Sequence, residues 1–218
     1  MDLEKFRLEG RRYLSESEVK TLLNENGIKT TRFVLLDEHE LETVKLDFPV
    51  AVKISSPEIL HKTDVGGVIL NVRNQEELKK SYSALKSQFP DTPILVEPME
   101  KPGAEVIVGL IKDRTFGLSI MFGMGGILTE LYHDVAFRLV PITKEDAQEM
   151  IDDIRASRIF YGFRGMKVSR EAIVDLLVKI SAFGDKYQAD INQLDLNPVF
   201  VREDDAVVID AKMILEPC

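Results

Sequence analysis

The 218-residue chain carries 28 Lys and Arg against 37 Asp and Glu, a formal charge of −9, with 44% hydrophobic and 30% charged residues. That balance describes a globular chain able to bury one large core or two smaller ones, and it excludes a general nucleic-acid binder, which needs clustered basic groups against phosphate. The single cysteine, Cys218, excludes an internal disulfide, and no Cys/His cluster has zinc spacing.

The first clear helix begins at Ser15. Ser15 and Glu18 form a capping box, and Val19, Leu22 and Leu23 share one face. Asn26-Gly27 ends it. Residues 33–36 (FVLL) and 50–54 (VAVKI) read as strands, the second buried and carrying one lysine. The polar stretch SSPEILHKTDVGG (55–67) bends at Pro57, Gly66 and Gly67 and reads as a loop. Strand 68–72 follows, then a helix capped by Asn74 and running to about Phe89, with Leu78, Tyr82 and Leu85 inward. Pro90 to Pro93 break the chain and mark the expected boundary between lobes at 1–92 and 93–218.

Beyond the break, strands are expected at 94–98, 104–112 and 116–122, with a hairpin turn at 112–115. A glycine loop (123–126) precedes extended segments at 127–131 and 135–140. Helices at 143–155 and 169–187 come next, the latter with Ile173, Leu176, Leu177, Ile180 and Phe183 in a stripe. Strands near 193–200 and 206–211 close the chain. Strands and helices mix without β-α-β-α alternation, which predicts an α+β fold with antiparallel sheets.

Familiar nucleotide motifs are missing. There is no P-loop, since Gly162-Phe-Arg-Gly165-Met-Lys167 has the wrong spacing. Gly123-Met-Gly125-Gly126 lacks the third glycine of a dinucleotide fingerprint, Leu128 standing there. No G-x-S-x-G elbow occurs.

Several residues nonetheless carry chemistry. Lys53 lies in an apolar strand, so its ammonium needs a partner; a phosphate oxygen is one and water at the strand end another. Glu97 ends a strand before Pro98, whose missing N–H loosens the edge where an adenine ring can take main-chain groups. Glu105 opens the next strand and suits ribose hydroxyls, although both glutamates also read as ordinary surface residues. Asn197 and Asp210 sit on the last two strands and, with phosphate oxygens and water, suit magnesium; Asp195 shares a face with Asn197. The plainer reading of Asn197-Pro198 is an Asx turn. In the loop, Gly66-Gly67 allows backbone N–H groups to approach phosphate. His61, in the same loop, is either an exposed loop residue or a nucleophile that carries phosphate as a phosphoramidate. His39 reads as solvated, and His133 as structural.

The order of these segments is specific. VAVKISSPEILHKTDVGGVILNV, ILVEPM with GAEVIVG, FGMGGILTELYHDVAFRLVPI, and LDLNPVFV with VVIDAK resemble the ATP-grasp β subunit of ADP-forming acetate–CoA ligase, over roughly residues 10–217. The chain is more distantly similar to the β subunit of succinyl-CoA synthetase. The resemblance implies two lobes holding ATP or ADP with Mg2+. It implies that Lys53 meets the phosphates, that Glu97, Pro98 and Met99 meet adenine, that Glu105 meets ribose, and that Asn197 and Asp210 bind magnesium. His61 is then transiently phosphorylated. Gly125, Gly126, Glu130 and Arg138 match a motif beside the travelling phosphate or a subunit interface. One departure is Met166-Lys167-Val168, where members of the family often carry prolines.

The implied reaction is acyl-CoA + ADP + phosphate ⇌ carboxylate + CoA + ATP, with a CoA-binding α subunit completing an α2β2 enzyme. The competing readings are a self-contained ATP-grasp carboxylate–amine ligase and a non-catalytic nucleotide sensor; a sensor needs no phosphate acceptor, so His61 separates the classes. No apolar run of signal-peptide or membrane-span length occurs, and the expected compartment is the cytoplasm, with no partner among nucleic acids or membranes.

Overall fold

The computed structural model describes residues 2–59, 62–126, 134–163 and 167–217. The chain forms two compact units, one from Ser15–Glu18 and Thr31–Lys101, the other from Met1–Leu14, Val19–Thr30 and Pro102–Cys218. This division differs from the expected 1–92 and 93–218, and strand pairing is the reason. Residues 94–98 are hydrogen-bonded into the sheet of the residues before them, so the Pro90–Pro93 break is only a turn. The first residues join the other unit because Tyr13–Leu14 pairs with Ile214 and Met213.

The smaller unit has a four-stranded antiparallel sheet of β2 (Val34–Leu36), β5 (Ile94–Pro98), β3 (Val50–Ile54) and β4 (Val68–Val72), in that order. The Asn74 side chain accepts from Glu77 N at 2.9 Å and starts the helix Gln75–Gln88, numbered α3 in chain order. Its face of Leu78, Tyr82 and Leu85 packs on Val50, Val52, Ile54, Val72, Ile94 and Val96. Each such buried side chain contributes roughly 1.5–3 kcal/mol. Strands alternate faces, so if Val50, Val52 and Ile54 meet the helix, Ala51 and Lys53 face the other way. All five residues of β3 are buried, so the lysine face is covered as well.

The larger unit begins with α1 (Leu3–Leu8) and β1 (Tyr13–Leu14). Helix α2 (Glu16–Glu25) starts in the smaller unit and contributes Val19, Leu22 and Leu23 to this core. Its further strands are β6 (Ala104–Asp113), β7 (Gly117–Met124), β8 (Val135–Leu139), β9 (Ile191–Val201), β10 (Ala206–Val208) and β11 (Ala211–Leu215). The sheet runs β1-β11-β9-β6-β7-β8, with β10 also paired to β9, and these ladders are antiparallel. Helices α4 (Lys144–Asp153) and α5 (Arg170–Lys186), joined by a 3₁₀ helix at Arg155–Tyr161, supply Met150, Ile151, Ile173, Leu177 and Ile180 against Val106, Val108, Leu110, Ile120 and Phe122. The fold is therefore α+β with antiparallel sheets, as expected.

Several boundaries follow from local chemistry. The β6–β7 turn sits at 114–116, just past the expected position, because Asp113 Oδ1 accepts from Thr115 N and Phe116 N at 2.7 and 2.9 Å. The expected strand at 206–211 is two strands, split where β9 exchanges one neighbour for the next at Pro198. The expected segment at 127–131 lies outside the described residues. Among the described residues, no helix is long and apolar enough to cross a membrane.

Candidate functional site

In the smaller unit, β3 and β5 pair with Ala51 opposite Glu97 and Lys53 opposite Leu95. Lys53 and Glu97 are thus diagonal neighbours on one sheet face, within reach of each other's long side chains. Lys53 Nζ lies 2.6 Å from Glu97 Oε1. It also donates to Glu16 Oε1 at 3.0 Å. The other oxygen of that carboxylate, Glu16 Oε2, accepts from Lys62 Nζ. The four side chains are enclosed: Lys53 and Lys62 are 6% exposed, Glu16 4% and Glu97 2%. Two cations and two anions balance, which is what allows charge at this depth, since an unpaired buried ion costs several kcal/mol. The sequence reading found Lys53 and Glu97; it did not find Glu16 or Lys62.

Gly66 and Gly67 use their N–H groups inside the loop, where Gly66 N donates to Thr63 O at 3.1 Å and Gly67 N to Lys62 O at 2.7 Å. These bonds close a turn. Gly66 has φ +72°, and a Cβ on Gly67 would stand 2.5 Å from Ile54 Cδ1, so glycine is required at both. Ile54 N donates to Gly67 O at 2.9 Å, which anchors the turn on β3. Likewise the Met99 N–H is spent, donating to Pro49 O at 2.9 Å. The strand edge opens elsewhere, because β2 pairs with β5 only as far as Val96, leaving Glu97 and Pro98 beyond that ladder. His61 lies outside the described residues.

In the larger unit, Asn197 on β9 and Asp210 just before β11 come together. Asn197 N donates to Asp210 O at 3.2 Å, and Ile209 N donates to Pro198 O at 3.0 Å. Asn197 is exposed and Asp210 half-buried. One amide oxygen and one carboxylate form too small a set for a closed all-protein cage, and among the described residues no group of three or more His, Cys, Asp or Glu gathers at metal-holding distance. A site of one or two protein ligands completed by water and phosphate oxygens is how magnesium is commonly held, so the residues present fit that ion.

Glu105, exposed at the start of β6, pairs with Phe200 on β9. The glycine loop packs directly on it. Gly125 N donates to Glu105 O at 2.7 Å, and a Cβ at Gly125 would stand 2.9 Å from the Glu105 carbonyl carbon. Gly126 has φ +76°. These two glycines thus shape the surroundings of Glu105, a role not legible in the motif. Arg138 is tied to α4, with Nη2 at 2.7 Å from Asp153 and 3.5 Å from Glu149. Glu130 lies outside the described residues.

Comparison with known proteins places this geometry. Residues 5–215 match the ATP-grasp domain family. The chain is 42% identical to acetate–CoA ligase [ADP-forming] II subunit beta of Pyrococcus furiosus, covering 98% of this chain and 96% of that one. It is 40% identical to acetate–CoA ligase [ADP-forming] II of Archaeoglobus fulgidus over 93% of this chain but only 30% of that longer protein. Among solved structures, it superposes with a TM-score of 0.87 and 39% identity, over 98% of both chains, on acetyl-coenzyme A synthetase 1 of Ca. Korarchaeum cryptofilum. That protein was captured with coenzyme A and Mg-AMPPCP, its phosphohistidine segment pointing towards the nucleotide binding site.

Proposed function

Since the chain belongs to the ATP-grasp family, alongside the β subunits of ADP-forming acetate–CoA ligases, we propose that it is the nucleotide-binding, phosphoryl-transferring subunit of an ADP-forming acyl-CoA synthetase. The reaction is acyl-CoA + ADP + phosphate ⇌ carboxylate + CoA + ATP. The end-to-end match to a chain named as a β subunit carries this reading. A CoA-binding α subunit completes the enzyme, as an α2β2 assembly; the longer Archaeoglobus relative fits a fused version of the same pair. With one cysteine in 218 residues, the chain suits a reducing compartment, and we assign it to the cytoplasm.

Lys53 offers its ammonium to nucleotide phosphate oxygens, where fixed positive charge stabilises the charge that develops in transfer. The β5 edge at Glu97 and Pro98 receives adenine, and Glu105 accepts the ribose hydroxyls. Asn197 and Asp210 hold magnesium, which supplies neutralisation of the phosphate charge. His61 attacks the γ-phosphorus of ATP through a ring nitrogen. The bond to the ADP oxygen breaks, and ADP leaves. In the other direction phosphohistidine passes its phosphoryl group to ADP.

The test uses γ-labelled ATP and magnesium, with and without the partner subunit. The account expects a base-stable, acid-labile label on this chain that is lost in His61→Asn. Full activity of the reconstituted His61→Asn enzyme overturns the histidine step.

A further inference from the structure

We propose that Glu16 is a positioning residue for nucleotide binding: its carboxylate holds Lys53 and Lys62 together as two charged ammonium groups facing one phosphate site. The proposal rests on Lys53 being a phosphate contact.

The geometry is that of a bridge. Glu16 Oε1 accepts from Lys53 Nζ at 3.0 Å while Oε2 accepts from Lys62 Nζ. One carboxylate therefore sets the spacing of two cations that come from separate segments, a strand and a loop. Glu97 lies 2.6 Å from Lys53 as well, so Lys53 is held by two carboxylates, and Lys62 shares one of them, Glu16.

Glu16 is itself held firmly. It lies in the first turn of α2, where the helix dipole favours a carboxylate. Capping of that helix falls to its neighbours: Glu18 Oε2 accepts from Ser15 N and Ser15 Oγ at 2.8 and 2.9 Å. The hydroxyls of Ser17 and Ser55 lie 3.0 Å apart, which ties this turn to the residue that follows β3. Lys62 is set by the Gly66–Gly67 turn, through the Gly67 N to Lys62 O bond. A carboxylate buried to 4% exposure that bridges two lysines from separate segments has a positional task beyond its own helix.

The test is the enzyme reconstituted with its CoA-binding partner subunit, assayed against ADP and against CoA, with thermal unfolding as the fold control. Glu16→Gln removes the bridging charge. Glu16→Gln/Lys62→Gln removes it while keeping the cluster neutral, and decides the question if the single variant does not fold. We expect the folded variant to raise KM for ADP about tenfold or more, the effect of breaking a buried charge pair, with kcat and KM for CoA little changed. A purely structural role would lower kcat with the fraction of folded enzyme and leave KM for ADP alone; that result, or wild-type kinetics in the double variant, overturns the proposal. Lys53→Gln/Glu97→Gln tests the reading beneath it. If that pair raises KM for ADP and the Glu16 variants do not, only the Glu16 assignment fails. If it leaves KM for ADP unchanged, the phosphate role of Lys53 fails too.

Discussion

The two units present their polar residues in opposite ways. In the smaller unit Lys53, Lys62, Glu16 and Glu97 are all enclosed and joined by ion pairs. In the larger unit Glu105 and Asn197 stand exposed and Asp210 is half-buried. Buried charges must be balanced whether or not a ligand is present, so the first group belongs to the fold as much as to the site. The second group lies nearer the surface, with Asp210 Oδ1 accepting from Ala211 N at 3.1 Å. Substitutions in the smaller unit should therefore damage stability and binding together, and substitutions in the larger unit should separate the two.

The largest effect is expected from Lys53→Met. It takes the Lys53 ammonium away from Glu16 and Glu97, two carboxylates at 4% and 2% exposure, and breaking a buried pair in this way costs about 3–5 kcal/mol. Hydrogen exchange at the β3 and β5 amides should show that loss; exchange rates like those of the wild type would mean that the cluster is not what holds the sheet face closed.

A smaller effect, at most about 1 kcal/mol for a partly exposed ion pair, is expected at Asp205 in the larger unit. Arg202 Nε and Nη2 donate to its two oxygens at 2.6 and 2.7 Å, and Lys29 donates at 2.5 Å. The hydrogen bonds from Arg202 are the main cause of an Asp205 pKa lowered from 3.8 to about 2. A depressed folded-state pKa gives stability that is present above about pH 3.8 and lost as pH falls through about 2. Asp205→Asn should therefore be less stable than the wild type at neutral pH, with the difference closing below pH 2. A difference that persists there would show that the ion pair is not its source.

How much of this was legible follows from what is local. VAVKI and VILNV carry their own pattern, and the strands at 50–54 and 68–72 stand where they were expected. Asn74 and Ser15 name their helices by capping chemistry alone. The two-residue strand Tyr13–Leu14 has no pattern to read, because its partners Met213 and Ile214 lie at the other end of the chain. Glu16 was hidden by its neighbours, since the Ser15–Glu18 capping box already explains an acidic first turn. Its partners lie 37 and 46 residues away. The pressure of Gly125 on Glu105 is likewise a tertiary fact. The candidate residues were named by order and type, whereas the pairing that joins Lys53 to Glu97 and Glu16 required the fold.

The contrast between the units makes Asp210→Asn the most direct probe, because asparagine keeps a side-chain oxygen to accept from Ala211 N, as Asp210 Oδ1 does at 3.1 Å, and should leave the free protein's melting temperature almost unchanged. The measurement is the melting temperature of the wild type and of Asp210→Asn, each with and without Mg-AMPPCP. At about 100 times its Kd, a bound nucleotide adds about 2.7 kcal/mol to the folded state, so the wild type should melt higher with Mg-AMPPCP and Asp210→Asn should show little of that rise. An equal rise in both proteins, or none in the wild type, would contradict the account.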